Sequence, residues 1–193
     1  MRQNLLTLAL AFAATSAFAA DRYEFDTNHR NVRFTFNHFG FSNISGSFEQ
    51  LDGHVMLDTA DLTKSSVEVT IPIASIHTGV PKFDEHLKSA DFFEAAKFAN
   101  ATFKSTGVTS SGEGKLAVAG DLTMHGVTKP VTLDVTVNKL GEHPMAKAPW
   151  AGFDATTTIK RTDFGLGLYA PNVSDDVKIT ISVELKGPAP AKS

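Results

Sequence analysis

Residues 32–41 read VRFTFNHFGF. Side chains on a strand alternate between its two faces, so Val32, Phe34, Phe36 and His38 point the same way. One face of this segment is an aromatic wall that ends in a polar residue. The same one-sidedness recurs at Val67, Val69, Ile71 and Ile73, at Leu116, Val118, Leu122 and Met124, at Val131, Leu133, Val135 and Val137, and at Ile179, Ile181, Val183 and Leu185. Between them stand polar partners such as Thr132, Asp134 and Thr136, or Lys178, Thr180, Ser182 and Glu184. Strands with one dry and one wet face belong to antiparallel sheets, whereas parallel strands buried on both sides read as continuous apolar runs.

The chain is therefore all-β, with some eight strands joined mostly by short turns at Gly40, Gly112-Glu113-Gly114 and His125-Gly126. Such strands either close into a barrel or stack as a two-sheet sandwich, and periodicity does not choose between these. Helix signals are few. Asp84-Glu85-His86-Leu87-Lys88-Ser89 predicts one short helix, or two turns, capped by Asp84 and extending towards Phe92-Phe93.

Residues 1–19 carry a basic start, a short apolar centre at Leu5–Ala14 and an Ala17-Phe18-Ala19 site before Asp21-Arg22. This is the pattern of a secretory signal peptide, with cleavage expected after Ala19 and the periplasm as destination. The apolar run is shorter than the ~20 residues that span a bilayer. The absence of cysteine suits an oxidising compartment and excludes a disulfide scaffold or a thiolate nucleophile.

Removing 19 of the 193 residues leaves 174, enough for one domain over residues 20–186, followed by a flexible tail at 187–193 that begins Gly187-Pro188-Ala189-Pro190. The formal charge of −3 becomes −4 once Arg2 is lost, which gives no reason to expect nucleic acid or anionic lipid surfaces as partners. The mature chain keeps 13 of the 15 phenylalanines, since only Phe12 and Phe18 lie in the leader, against two tyrosines and one tryptophan. An interior built on Phe is apolar and offers few hydrogen-bonding handles.

Two features interrupt that apolar pattern. His38 ends the inward face of the first strand, and Arg161 continues the face of Phe153, Ala155 and Ile159. An arginine facing a core needs a partner, a wet mouth or a ligand head group, and a salt bridge to Asp163 or another acid is the plain alternative. Asp84, His86, Lys88 and Asp91 form the densest titratable cluster. A capping Asp followed by His is ordinary helix chemistry, and no residues have catalytic or metal-ligand spacing: GxSxG, HExxH and nucleotide-binding glycine loops are all missing.

Six segments together resemble the YceI family of periplasmic polyisoprenoid-binding proteins: FTFNHFGFSNISGSF at 34–48, SIHTGVPKFDEHL at 75–87, SADFFEAAKFANATFKST at 89–106, GDLTMHGVTKPVTL at 120–133, KRTDFGLG at 160–167 and SDDVKITISVEL at 174–185. The resemblance spans nearly the whole mature chain. It implies an extended, lipocalin-like antiparallel barrel of eight strands, possible homodimerisation, and an enclosed isoprenoid lipid such as a polyprenyl quinone, phenol or phosphate. A quinone-using membrane protein is a further partner on this reading.

Under that resemblance Phe34, Phe36, Phe48, Phe103 and Phe153 are the apolar lining, joined by Phe92 and Phe93 from the segment beside the cavity. His38, Asp84, His86, His125 and Arg161 are polar candidates at its entrance. The chain departs from the family pattern at Arg30, where a serine commonly follows the histidine, and at Phe83, which replaces a basic residue next to Asp84. Two rival readings stand beside the carrier: a small hydrolase using Asp84, His86 or His38, and an envelope stress protein whose barrel is fully packed.

Overall fold

The structure, a computed structural model, describes residues 20–189. The expected signal peptide at 1–19 and the last four residues of the expected tail lie outside that range. Within the described residues ten strands follow one another: β1 Asp21–His38, β2 Ser42–Phe48, β3 Asp52–Leu57, β4 Ser66–Pro72, β5 Ile76–His77, β6 Asn100–Gly112, β7 Lys115–Met124, β8 Val127–Glu142, β9 Pro149–Lys160 and β10 Asp176–Lys186. Among the described residues one α-helix, α1, spans Pro81–Lys88, and 3-10 turns lie at Leu62–Lys64, Ile73–Ser75 and Arg161–Phe164.

All the ladders are antiparallel, and β1 also pairs with β10 from Glu24↔Lys186 to Thr35↔Lys178, which closes the sheet. Closure decides between barrel and sandwich. The ring has eight staves: β2 and β3 are two pieces of one stave, pairing with the end and the beginning of β1 respectively, while β5 flanks β2. Closure also removes the free edges that an open sheet would expose.

Inward positions follow the alternation of the sequence. Phe103, Leu116, Val118, Val135 and Ala155 are buried in the barrel's middle, and Phe153, Leu122, Leu133 and Ile181 pack against them. Two glycines make room for the rings. Gly46 pairs with Phe34, and a Cβ there would collide with the Phe34 ring; Gly120 pairs with Ser105, and a Cβ there would collide with the Phe103 ring.

One end of the barrel is closed by Tyr23, Leu57, Ala151 and Leu185, all nearly inaccessible, with Leu62 of the first 3-10 turn packed against them. Gly187 donates its amide to the Pro149 carbonyl at 2.8 Å and lies against the Tyr23 ring.

Alternation did not foretell a bulge near this end. Phe25 pairs with Leu185 and Arg30 with Val183, so residues 26–29 are looped out of the ladder. The bulge buries the Asp26 carboxylate beneath Lys186 Nζ at 2.8 Å and His29 Nδ1 at 2.5 Å. Trp150 Nε1 donates to Glu184 at 2.7 Å alongside.

The helix differs from expectation in its boundaries. It starts at Pro81, which suits the first helical position because the missing N–H would have had no partner there. Asp84 is consequently inside the first turn, and the residue before the helix is Val80, without a side-chain cap. The helix stops at Lys88 rather than reaching Phe92-Phe93. Ser89 turns the chain there, its hydroxyl donating to the His86 carbonyl at 2.7 Å.

Candidate functional site

Because the strands are long and the inward side chains leave the axis free, the barrel encloses a cavity of about 560 Å³. That volume lies within the ~300–1,000 Å³ typical of small-molecule sites. The wall is overwhelmingly carbon and runs from Phe25, Leu57 and Leu62 at the closed end to Phe36, Phe83 and Tyr169 at the other. A fully packed barrel, one of the rival readings, is therefore not what the chain forms.

All seven phenylalanines named from sequence, Phe34, Phe36, Phe48, Phe92, Phe93, Phe103 and Phe153, face this cavity. Phe34, Phe36, Phe48 and Phe93 form a connected aromatic surface. The Phe34 and Phe48 ring centroids are 5.7 Å apart, Phe48 meets Phe93 edge-on at 6.2 Å, and Phe36 reaches Phe83 of α1 at 6.5 Å. The spacing favours offset and edge contacts between aromatic quadrupoles.

Phe83 and Tyr169 also line the cavity, although sequence reading did not select them. A signal existed for Phe83: with the helix begun at Pro81, Phe83, His86 and Leu87 fall at i, i+3 and i+4 on one face, and all three meet the cavity. Tyr169 lies in an irregular loop with φ +64°, where no periodicity applies.

The polar candidates divide. His38, His86 and Arg161 are on the cavity wall; Asp84 and His125 are not. Asp84 is buried and turned to the loop before α1, accepting from the Thr78 amide at 2.7 Å and the Thr78 hydroxyl at 2.6 Å, with His77 Nδ1 at 3.4 Å. The Thr78 bonds hold its carboxyl below the usual carboxylate range despite burial. His86 lies 3.3 Å from Asp91 instead and packs edge-on against Phe92. Asp84 and His86, two of the three residues of the hydrolase reading, are therefore not brought together.

His125 occupies the β7–β8 turn with φ +52°. Its Nδ1 lies 3.0 Å from the Phe164 carbonyl and its ring meets Phe98 edge-on. It is a latch between the hairpin and the 3-10 turn.

Arg161 corrects the salt-bridge expectation. β9 ends at Lys160, so Arg161 opens a 3-10 turn, and its guanidinium donates to four backbone carbonyls: Ser174 at 2.8 Å, Leu168 at 2.8 Å, Val173 at 2.7 Å, and Leu166. Asp163 takes no part. Burial lowers the arginine pKa, and Asp175 opposes that shift. The side chain is thus the keystone of the 166–174 loop, with one edge on the cavity.

Among the described residues, Asp26, His29 and Glu184 alone place three potential metal-ligand atoms within 4.8 Å of one another. Lys186 already bonds Asp26 there, so an ammonium group sits where a metal cation would have to compete.

The YceI-like domain model matches residues 23–185. Protein YceI of Escherichia coli O157:H7 is 40% identical over 189 residues, covering 95% of this chain and 97% of that protein. Among solved structures, Burkholderia cenocepacia BcnA aligns with a TM-score of 0.75 at 27% identity, covering 83% of this chain and 98% of that one. A polyisoprenoid binding domain from Saccharophagus degradans, implicated in plant cell wall breakdown, aligns at 0.65 with 17% identity over 86% of this chain and 98% of that domain, a likeness of fold.

Proposed function

Since the chain belongs to the YceI-like family, we propose that it is a non-enzymatic binding protein that takes the tail of an isoprenoid lipid into its barrel. The observation that carries this reading is the cavity of about 560 Å³ with a nearly all-carbon wall. Each methylene moved from water into such a wall gains about 0.8 kcal/mol, so a branched hydrocarbon chain needs no hydrogen bonds to be held. The polyisoprenoid binding domain of Saccharophagus degradans, which shares the fold, supports the same ligand class.

On this reading Phe34, Phe36, Phe48 and Phe103 grip the tail while His38, His86 and Arg161 stand near the polar end. The ligand is a polyprenyl quinone, phenol or phosphate. The leader-like segment at 1–19 supports export to the periplasm, where the protein stores or transports the lipid, delivers it to a quinone-using membrane protein, and assembles as a homodimer. Native mass spectrometry of protein purified from its own host, followed by identification of released lipid, tests this. A prenyl compound is the expected result. Protein that carries no prenyl lipid and takes up no added polyprenyl quinone overturns the reading.

A further inference from the structure

Among the described residues six large hydrophobic side chains are exposed, and five of them, Phe39, Phe41, Val80, Leu168 and Tyr169, belong to segments at the α1 end of the barrel. Phe41 is the extreme case at 92% exposure. Phe39 and Phe41 form the tip of the β1–β2 hairpin, Val80 immediately precedes α1, and Leu168 and Tyr169 project from the loop that Arg161 braces.

The hairpin tip and the 164–174 loop are one built rim. The Phe39 amide donates to the Asn172 carbonyl at 2.9 Å, His38 bridges Val173, and the Asn37 amide donates to Ser174 Oγ at 2.9 Å. Phe39 and Tyr169 hold φ values of +54° and +64°, a region in which bulky side chains are strained. The hairpin turn would be served better by Asn or Gly at position 39. Strained aromatics that point into solvent call for something outside the fold to cover them.

The two tips carry no fixed charge. Residues 34–48, FTFNHFGFSNISGSF, and 164–174, FGLGLYAPNVS, contain no Asp, Glu, Lys or Arg, in a chain that is 20% charged. Entering an apolar medium therefore dehydrates no ion on either tip. The side chains project singly from loop tips, unlike the flat patches that give each partner of a stable protein pair about 800 Å². The rim is also continuous with the cavity, because Tyr169 and His38 are exposed and line it as well.

We propose that this rim inserts into the surface of a phospholipid bilayer, so that the barrel mouth opens onto hydrocarbon. The inference rests on the isoprenoid reading and adds the route of entry: a tail passing from bilayer to barrel across water would expose its methylenes at about 0.8 kcal/mol each, and an inserted rim removes that gap. Tyr169 suits the interface, with an apolar ring and a polar hydroxyl. Insertion by uncharged tips makes docking independent of anionic lipid and insensitive to salt.

The test is flotation of protein beginning at Ala20, which removes the apolar leader, with phosphatidylcholine vesicles with and without 30% phosphatidylglycerol, in low and high salt. Polyprenyl quinone transfer out of the same vesicles is followed in parallel. The Phe39→Asn/Phe41→Ser pair should weaken flotation and slow transfer at least tenfold, in either lipid and at either salt. Met145→Ser, the sixth exposed hydrophobic, lies on the loop between β8 and β9 and should leave both unchanged.

Quinone loading from detergent should survive the Phe39/Phe41 pair, because neither residue lines the cavity. Loss of docking with intact loading separates this inference from the isoprenoid reading, whose failure would abolish loading in the unaltered protein. Absence of vesicle binding by the unaltered protein overturns the proposal. So does a dimer in light scattering that the pair converts to monomer with transfer unchanged, since the rim would then be a contact between copies.

Discussion

At the end of the barrel where β1 begins, Tyr23, Leu57, Ala151 and Leu185 close the interior with side chains carried on four different strands. At the end where β1 finishes, closure is built from elements outside the ladder: α1, a 3-10 turn and the 166–174 loop, whose carbonyls converge on one guanidinium. The first end is a dry core that owes its stability to burial. The second adds, to a buried apolar cluster of Ile73, Met124, Ile159, Phe164 and Leu166, hydrogen bonds to a buried charge, and it leaves aromatic side chains half-buried or exposed around a mouth. A binding barrel needs both, one wall that does not leak and one that admits a ligand, and the two should respond differently to substitution.

The largest effect is expected at the keystone. Arg161→Leu strands four backbone carbonyls that now accept from the guanidinium, and should cost on the order of 4 kcal/mol in urea unfolding while loosening the 166–174 loop in hydrogen exchange. A loss under about 1 kcal/mol would mean that water replaces the arginine and that the mouth does not depend on it.

Leu185→Ala at the closed end should cost about 3 kcal/mol through the cavity it leaves, with polyprenyl quinone affinity nearly unchanged if the ligand stops short of that end. A matching fall in affinity would place the lipid tail against Leu185 and erase the functional contrast between the ends.

The bulge network ties the closed end to pH. Burial would raise the Asp26 pKa, but hydrogen bonds from Lys186, His29 and the Asn28 amide outweigh it and bring the carboxyl from 3.8 to about 2. A native pKa below the unfolded one stabilises the fold at pH above the unfolded value and is lost as pH falls towards 2, a contribution of about 2 kcal/mol. His29 shifts the other way, raised chiefly by its bond to Asp26, so its contribution holds below pH 6.5 and fades as pH rises through the native value. Asp26→Asn should therefore lower Tm most between about pH 4 and 6.5 and least near pH 2. A Tm difference independent of pH would show that shape rather than charge holds the bulge.

Phe36→Ala at the mouth should change stability least, by about 1 kcal/mol for a half-buried ring, yet lower quinone affinity more than Leu185→Ala does. Comparing urea midpoints with binding titrations for these two variants states the contrast between the ends in one experiment.

The same contrast marks what could be read from the chain. Regular strands declare themselves: alternation at Leu116–Met124, Val131–Val137 and Ile179–Leu185 placed the inward faces, and the Phe34, Phe36 and Phe48 wall follows from it. The bulge at 26–29 did not declare itself, because its buried carboxylate relies on Lys186, a partner that only the pairing of β1 with β10 brings to it. The role of Arg161 was invisible for the same reason, since backbone carbonyls carry no sequence signature. Asp84 was misplaced as a cap because Pro81 starts the helix three residues earlier. Tyr169 was missed because a left-handed loop residue belongs to no period.

Pairing of the first strand with the last carries a consequence for how the chain reaches this state. The ring cannot close until β10 has been made, and every earlier intermediate leaves β1 and β9 with unpaired edges. Contacts between residues so far apart along the chain slow the search, typically to milliseconds or longer. A chain cut before Asp176 should thus persist as an open, aggregation-prone sheet, and a polypeptide still being threaded through a translocation channel would be kept from folding by its own topology until nearly its whole length had passed.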